Sequence, residues 1–242
     1  MKKVIAILIA FSGLALPAHA GTLFSTGFES PTYSLGALSG QDGWDFFGSG
    51  TAVVQDAVVH SGSQAAEITA ASAQTGPMRL FPAPSANSLI TMTADIYLQS
   101  SSRQTAWQFG AYNGFGGINV LADGSVQLIT TGLPVVSSLV SRDAWNQYEL
   151  DYDLQSSTFD FLLNGTSIAS NLAFPGPISY YSGTSYLTTV NSFGGGDAND
   201  AAFVDDLSIT ANPVPEPGSL ALLLPAAGSF LLLRRRRFLA GN

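Results

Sequence analysis

The chain has 242 residues, of which 11% are charged, and it contains no cysteine. The lack of cysteine excludes disulfide bridges, thiol nucleophiles and thiolate metal sites. Residues 21–212 hold three basic and sixteen acidic side chains, a net charge of −13, whereas the whole chain carries −8. A domain this acidic repels nucleic-acid phosphates, so nucleic-acid binding is excluded; cations, neutral glycans or basic surfaces suit it better.

Residues 1–20 have the order of a secretory signal. Lys2 and Lys3 precede the apolar run 4–16, and Ala18-His19-Ala20 supplies the small residues of a cleavage site. The apolar run is shorter than the roughly 20 residues that a spanning helix needs, which argues against a permanent anchor. We therefore expect a signal helix over 1–20 and cleavage between Ala20 and Gly21.

Residues 21–211 are predicted to form one all-β domain. Short runs rich in β-branched and aromatic residues recur between clusters of Gly, Asn, Asp and Ser, and about 190 residues suit a single core. Eleven strands are predicted, over 23–28, 51–55, 65–69, 89–98, 105–112, 118–121, 125–130, 145–153, 159–163, 186–193 and 202–209. This number of strands indicates two packed antiparallel sheets.

The run 145–153 has the clearest strand pattern. Its apolar residues alternate with carboxylates, so one face is predicted to be buried and the other solvated. The two sets are Tyr148, Leu150 and Tyr152 against Glu149, Asp151 and Asp153. The next strand should pair with it across 155–157, and Asp123-Gly124 and Asn164-Gly165 are predicted two-residue hairpin turns with positive φ at both positions.

Four segments of this domain resemble known jelly rolls. The run 145–165 has an aromatic start, a Tyr-x-x-x-Tyr-Asp strand and a return to Asn-Gly, and it resembles the middle of concanavalin-like and laminin-G-like domains. Phe28-Glu29, the loop 60–63 and the strand 203–209 resemble the corresponding segments of jelly-roll carbohydrate-binding modules. The resemblance implies an antiparallel two-sheet jelly-roll sandwich in which the last three segments meet.

The same resemblance implies a structural calcium ion that ties the first and last strands together. Glu29, Asp205 or Asp206, and the backbone from Ser61 to Ser63 would supply the oxygen ligands that Ca²⁺ prefers. The alternative is that Glu29 and Asp205 are solvated and Asp206 caps a strand end.

Two residue patterns bear on catalysis. Glu149 and Asp151 share a strand face and are a candidate pair for glycoside hydrolysis, but the E-x-D-x-x-E strand of concanavalin-like glycosidases needs an acid where Leu154 stands. His60 is the only histidine after the signal, which argues against a Ser-His-Asp triad and a zinc site. The chain is therefore predicted not to be an enzyme.

Three aromatic residues in predicted loops are candidate glycan contacts. Trp44 lies in Gln41-Asp42-Gly43-Trp44, and Tyr180 and Tyr181 lie in a stretch rich in Gly, Pro and Ser. Neighbouring residues of an extended loop cannot both face inward, and exposed rings stack against the apolar faces of sugars.

The C-terminal residues 212–242 combine a motif, an apolar stretch and a basic end. Val214-Pro215-Glu216-Pro217 precedes the predicted transmembrane helix 218–233, and Arg234, Arg235, Arg236 and Arg237 follow as a basic stop. Four arginines hold the C-terminus in the cytoplasm, which leaves the preceding domain outside.

This tail resembles the PEP-CTERM sorting tail, whose triplet Pro215-Glu216-Pro217 matches residue for residue. The resemblance implies cleavage by an exosortase, an integral membrane cysteine protease. The protein would be anchored transiently in the inner membrane and then passed to the cell surface or the extracellular space. A plain anchor with a chance triplet is the alternative.

Together these features predict an exported, non-enzymatic surface or matrix protein that associates with exopolysaccharide or another glycan of a biofilm. Two alternatives stay open: a divergent glycoside hydrolase on the same fold, and a structural or adhesive protein without glycan specificity.

Overall fold

The part of the chain that the computed structural model describes is built from β-strands alone. It comprises residues 21–48, 50–69, 76–82, 88–100, 106–111, 115–137, 139–176, 184–193 and 200–213; for residues 82, 184–193 and 213 it describes the backbone. Sixteen strands form in these ranges, which belong to one unit, residues 20–213. The strands are β1 Gly21–Thr26, β2 Gly36–Ala37, β3 Trp44–Phe47, β4 Thr51–Gln55, β5 Ala65–Thr69, β6 Gly76–Pro82, β7 Ser88–Leu98, β8 Ala106–Ala111, β9 Gly116–Val120, β10 Val126–Ile129, β11 Val135–Val136, β12 Trp145–Asp153, β13 Thr158–Leu163, β14 Thr166–Ala173, β15 Thr184–Phe193 and β16 Ala201–Pro213.

The strands form two antiparallel sheets. The nine-stranded sheet has the order β14-β13-β12-β7-β16-β5-β4-β2, with β1 also paired to β16. The seven-stranded sheet has the order β11-β10-β9-β8-β15-β6-β3. Each sheet combines hairpin neighbours with pairs distant in sequence, such as β7-β16 and β8-β15, as in a jelly-roll sandwich. The all-β prediction is confirmed for the described residues.

Aromatic side chains fill the space between the sheets. Tyr148 of the nine-stranded sheet contacts Phe109 of the seven-stranded sheet, with ring centroids 5.8 Å apart. The buried Tyr152 hydroxyl accepts a hydrogen bond from the Ala111 N–H at 3.0 Å and donates one to the Gly116 carbonyl at 3.3 Å. Hydrogen bonding therefore accompanies apolar burial across the core.

The predicted faces of β12 are confirmed. Tyr148, Leu150 and Tyr152 are each 0% exposed, and the intervening carboxylates are only partly buried. β13 follows β12 across 154–157 and pairs with it, as expected. Asn164-Gly165 has positive φ at both residues, 50° and 73°.

The Asp123-Gly124 turn differs from its prediction. Only Gly124 of the two has a positive φ, 81°. The Gly124 N–H bonds to the Leu121 carbonyl, and the Leu121 N–H bonds to the Ser125 carbonyl. The loop is thus longer than two residues, and the Asp123 carboxylate accepts the Ser125 N–H within it at 2.9 Å.

Both chain ends fall outside the described residues. These parts include Ala18 and Ala20, the motif 214–217, the predicted helix 218–233 and the arginines 234–237. Gly21 begins β1. In the ranges that are described, no helix is long and apolar enough to cross a membrane.

Candidate functional site

The last strand changes partner in the middle of the nine-stranded sheet. β16 pairs with β5 up to Val204 and with β1 from Leu207, and its register against β7 shifts between Asp205 and Ser208. Asp206, inside this bulge, has a left-handed φ of 46°. Side chains here must satisfy main-chain groups that have no strand partner.

Asp205 holds the loop after β4 against this bulge. Its carboxylate is 0% exposed. Oδ2 accepts the N–H groups of His60 at 3.1 Å and Ser61 at 3.0 Å, and Oδ1 accepts the Asp206 N–H at 2.8 Å. Burial raises the pKa of Asp205, and the hydrogen bonds from the main chain oppose that rise.

Glu29 holds the other end of the same loop. Its Oε1 accepts the N–H groups of Ser63 at 2.7 Å and Gln64 at 2.9 Å, and its Oε2 accepts the Ser63 hydroxyl at 2.6 Å. These hydrogen bonds lower the pKa of Glu29. Gly62 has a φ of 67°, and a Cβ there would collide with the Glu29 carboxylate, so the loop requires glycine.

The structure thus brings together the five residues predicted to hold calcium: Glu29, Ser61, Ser63, Asp205 and Asp206. The Ser61 hydroxyl joins them by donating to Asp206 Oδ1 at 2.9 Å. The alternative of a solvated Asp205 is wrong, because that carboxylate is buried. We call the place where these five residues meet the junction. N–H and O–H groups already bond its carboxylates, whose oxygens keep further lone pairs. Calcium at the junction therefore stays a prediction.

A second cluster lies next to the junction, on the outer face of the nine-stranded sheet. It consists of His60, Asp95, Tyr97 and Trp145. His60 Nδ1 lies 3.1 Å from Asp206 Oδ2 and 3.6 Å from Asp95 Oδ2. The His60 ring contacts Trp145 at 5.2 Å between centroids, and Tyr97 contacts Trp145 at 5.8 Å. Sequence reasoning missed this cluster, although the alternation along β7 places Asp95 and Tyr97 on the solvent side.

The candidate catalytic carboxylates lie further along the same face. Glu149 and Asp151 are both half-buried on β12, and Asp160 of β13 is directly opposite Asp151. Burial and the Asp151 carboxylate raise the pKa of Glu149. Asp151 Oδ1 accepts a hydrogen bond from the Thr91 hydroxyl. Leu154, where a third acid would be needed, is buried at 7% exposure.

A row of amide side chains crosses the seven-stranded sheet; we call Gln108, Asn119 and Gln127 the amide row. Asn119 is in register with Gln108 on one side and with Gln127 on the other. Their neighbours along each strand belong to the core, so the three amides point away from it. Adjacent strands are about 4.8 Å apart, so the row is roughly 10 Å long.

The centre of the amide row is recessed. Asn119 is only 6% exposed, although it points away from the core. Its Nδ2 donates to Gln127 Oε1 at 3.0 Å, whereas its Oδ1 is buried and accepts no hydrogen bond among the described residues. A buried carbonyl without a donor is costly, so this position favours a ligand or a water that donates one.

The prediction that Trp44 is a surface glycan contact is wrong. Trp44 begins β3 and is 2% exposed, packed against Phe24 and Phe28 with centroids 5.9 Å and 6.0 Å away. Its Nε1 donates to the Tyr33 hydroxyl at 3.1 Å. Tyr180 and Tyr181 lie outside the described residues.

No protein-family model and no curated protein matches this sequence. The structure is similar to a protein of unknown function from Shewanella oneidensis MR-1, with 12% identity over 80% of this chain and 86% of that one and a TM-score of 0.53. It is also similar to the lectin UEA-II complexed with galactose, with 10% identity over 81% and 99% of the chains and a TM-score of 0.52. The CBM22-1 xylan-binding domain from Paenibacillus barcinonensis Xyn10C is 18% identical over 83% of this chain and 100% of that one, with a TM-score of 0.47.

The two likenesses with TM-scores above 0.5 show the fold alone. At such identities they place the chain among two-sheet β-sandwiches and assign no ligand to it. The function has to be argued from the chain's own residues.

Proposed function

We propose that this is an exported, non-enzymatic protein that binds a neutral glycan through the amide row. The observation that carries the proposal is the buried Asn119 Oδ1, which accepts no hydrogen bond among the described residues and lies between two further amides. Each amide offers a carbonyl acceptor and two N–H donors, and each sugar hydroxyl both donates and accepts. A row of amides therefore complements a row of hydroxyls.

The charge distribution favours a neutral ligand for this face. The described residues of β8 to β11 that alternate with the core are uncharged: Ala106, Gln108, Gly110, Gly117, Asn119, Gln127, Ile129 and Val135. The outer face of the nine-stranded sheet, in contrast, carries Asp95, Glu149, Asp151 and Asp160. An acidic domain repels polyuronates at long range, so a neutral polysaccharide is the better partner.

Sorting and location complete the proposal. The tail 212–242 supports processing by an exosortase after export, with a transient inner-membrane stage in which Arg234 to Arg237 stay in the cytoplasm. The glycan would then be an exopolysaccharide of the biofilm around the cell. The lectin of similar fold is a complex with galactose, which is compatible with a sugar ligand on such a sandwich.

Replacing Asn119 by alanine should weaken glycan binding about tenfold or more, because a fully desolvated hydrogen-bonding group is lost. The measurement is calorimetric titration with neutral galacto-, xylo- and cello-oligosaccharides and with a uronate oligosaccharide. Gln147→Ala, which removes an exposed amide from β12 of the other sheet, is the matched control and should leave the affinity unchanged.

Gln127→Ala provides a second variant at the half-buried edge of the row, in case the Asn119 change lowers the melting temperature. The proposal fails if no neutral oligosaccharide binds, or if both amide-row variants bind as the unchanged protein does.

A divergent glycoside hydrolase is the second candidate. Burial and the Asp151 carboxylate raise the pKa of Glu149, and a carboxylic acid with a raised pKa is the general acid that glycosidases use. We expect no release of reducing ends from the same oligosaccharides, because this pair lacks a third acid at Leu154. Turnover that disappears in Glu149→Gln would establish the hydrolase instead.

A further inference from the structure

We propose that His60, Asp95 and Asp206 form a binding site for a divalent transition-metal ion, separate from the amide row and independent of glycan binding. The three residues come from the loop after β4, from β7 and from the β16 bulge. They meet on the outer face of the nine-stranded sheet, whereas the amide row lies on the seven-stranded sheet.

The ligand atoms are arranged as one ion requires. His60 Nδ1 lies 3.1 Å from Asp206 Oδ2 and 3.6 Å from Asp95 Oδ2, and the three ligand atoms are all within 4.8 Å of one another. Metal–ligand bonds of about 2.0–2.2 Å place the ligands of one ion roughly 3–4 Å apart. Small shifts of two side chains would therefore close the shell around an ion.

Asp95 supplies an independent reason to expect a cation. Its side chain is 12% exposed, and no hydrogen bond reaches its carboxylate among the described residues; its one close polar partner there is His60. A buried carboxylate without donors is costly unless a cation compensates it. Asp205, the register partner of Asp95 on the neighbouring strand β16, shows the contrast, because three N–H groups satisfy it.

The surrounding residues hold the three ligands before any ion arrives. The His60 ring packs on Trp145, and the His60 N–H is bound by Asp205. Asp206 is fixed by its left-handed backbone and by the Ser61 hydroxyl. Such supports orient metal ligands and raise affinity. The side chains of His60 and Asp206 are each 39% exposed, so water can complete the shell.

The donor set selects the class of ion. One imidazole nitrogen and two carboxylate oxygens suit Mn²⁺ or Zn²⁺, whereas Ca²⁺ takes oxygen ligands only. Zinc also accepts carboxylate oxygens, which here take the places of a second histidine or a cysteine. The site shares only Asp206 with the predicted calcium ligands, so the two ions can be told apart by mutation.

The test is calorimetric titration of the untagged protein with Zn²⁺, Mn²⁺ and Ca²⁺ separately. We expect Zn²⁺ or Mn²⁺ to bind with one-to-one stoichiometry and to raise the melting temperature. His60→Ala and Asp95→Asn should each weaken that binding tenfold or more. Asp160→Asn, which removes a carboxylate elsewhere on the same sheet, should not.

Asp95→Asn also separates binding from folding. Without metal it should melt at the same temperature as the unchanged protein or higher, since it removes a buried charge. Glu29→Gln should leave Zn²⁺ and Mn²⁺ binding intact and weaken Ca²⁺ binding if calcium occupies the junction. The inference is overturned if neither transition ion binds, or if their binding survives both His60→Ala and Asp95→Asn.

Discussion

Replacing Asp205 by alanine is expected to lower the free energy of unfolding by about 3–4 kcal/mol, because three main-chain N–H groups lose their acceptor in a buried position. Those groups belong to His60, Ser61 and Asp206. The loop after β4 would detach from the bulge in β16, where the sheet changes partner. Urea unfolding followed by tryptophan fluorescence measures the loss.

Asp205→Asn is the matched control for this change. Asparagine keeps one carbonyl acceptor and removes the buried charge, whose desolvation raises the pKa of Asp205. We expect it to cost about half as much as alanine. An Asp205→Ala variant within about 1 kcal/mol of the unchanged protein would contradict the role given to this carboxylate.

Truncating Tyr152 to alanine should lower the free energy of unfolding by about 4–5 kcal/mol, since it leaves a large cavity between the sheets. The ring is 0% exposed and contacts Phe115 and Phe159, with centroids 5.7 Å and 5.9 Å away. Chemical unfolding monitored by circular dichroism is the measurement.

Tyr152→Phe isolates the hydroxyl of the same residue. It keeps the ring but removes the hydrogen bonds to the Ala111 N–H and the Gly116 carbonyl. The expected cost is about 1–2 kcal/mol. If the phenylalanine variant were as stable as the unchanged protein, the hydroxyl would not link the two sheets energetically.

The strands that the sequence predicts are those with a strong pattern of burial. β7 and β12 alternate apolar and polar residues along most of their length, and the period alone locates them. All eleven predicted strands have a counterpart in the structure. A two-sheet all-β fold followed from their number and spacing.

The strands that the sequence misses lie at sheet edges, with one exception. β2 and β14 are the edges of the nine-stranded sheet, and β3 and β11 are those of the seven-stranded sheet; the exception, β6, lies next to β3 and contains Pro77. Edge strands have one partner and weaker burial, as the largely exposed β14 shows. Their alternation is therefore too weak to recognise.

Sites whose residues come from several strands are harder to predict from the sequence than the strands themselves. Glu29 and Asp205 are identified through family-like segments, and the structure shows that both carboxylates bond the loop after β4. The amide row depends on the register between β8, β9 and β10, which no single strand reveals. The sequence predicts a loop at Gln41-Asp42-Gly43-Trp44, but the contacts of Trp44 are with Phe24 and Phe28, far away in sequence.

The most direct test of glycan binding by the amide row is NMR of the side-chain amide groups in ¹⁵N-labelled protein, titrated with the neutral oligosaccharides. We expect the NH₂ signals of Gln108, Asn119 and Gln127 to shift with increasing sugar, while the Gln147 amide and the Trp145 indole stay unchanged. Shifts confined to the nine-stranded sheet, or no amide shift with any neutral sugar, would contradict the proposed function.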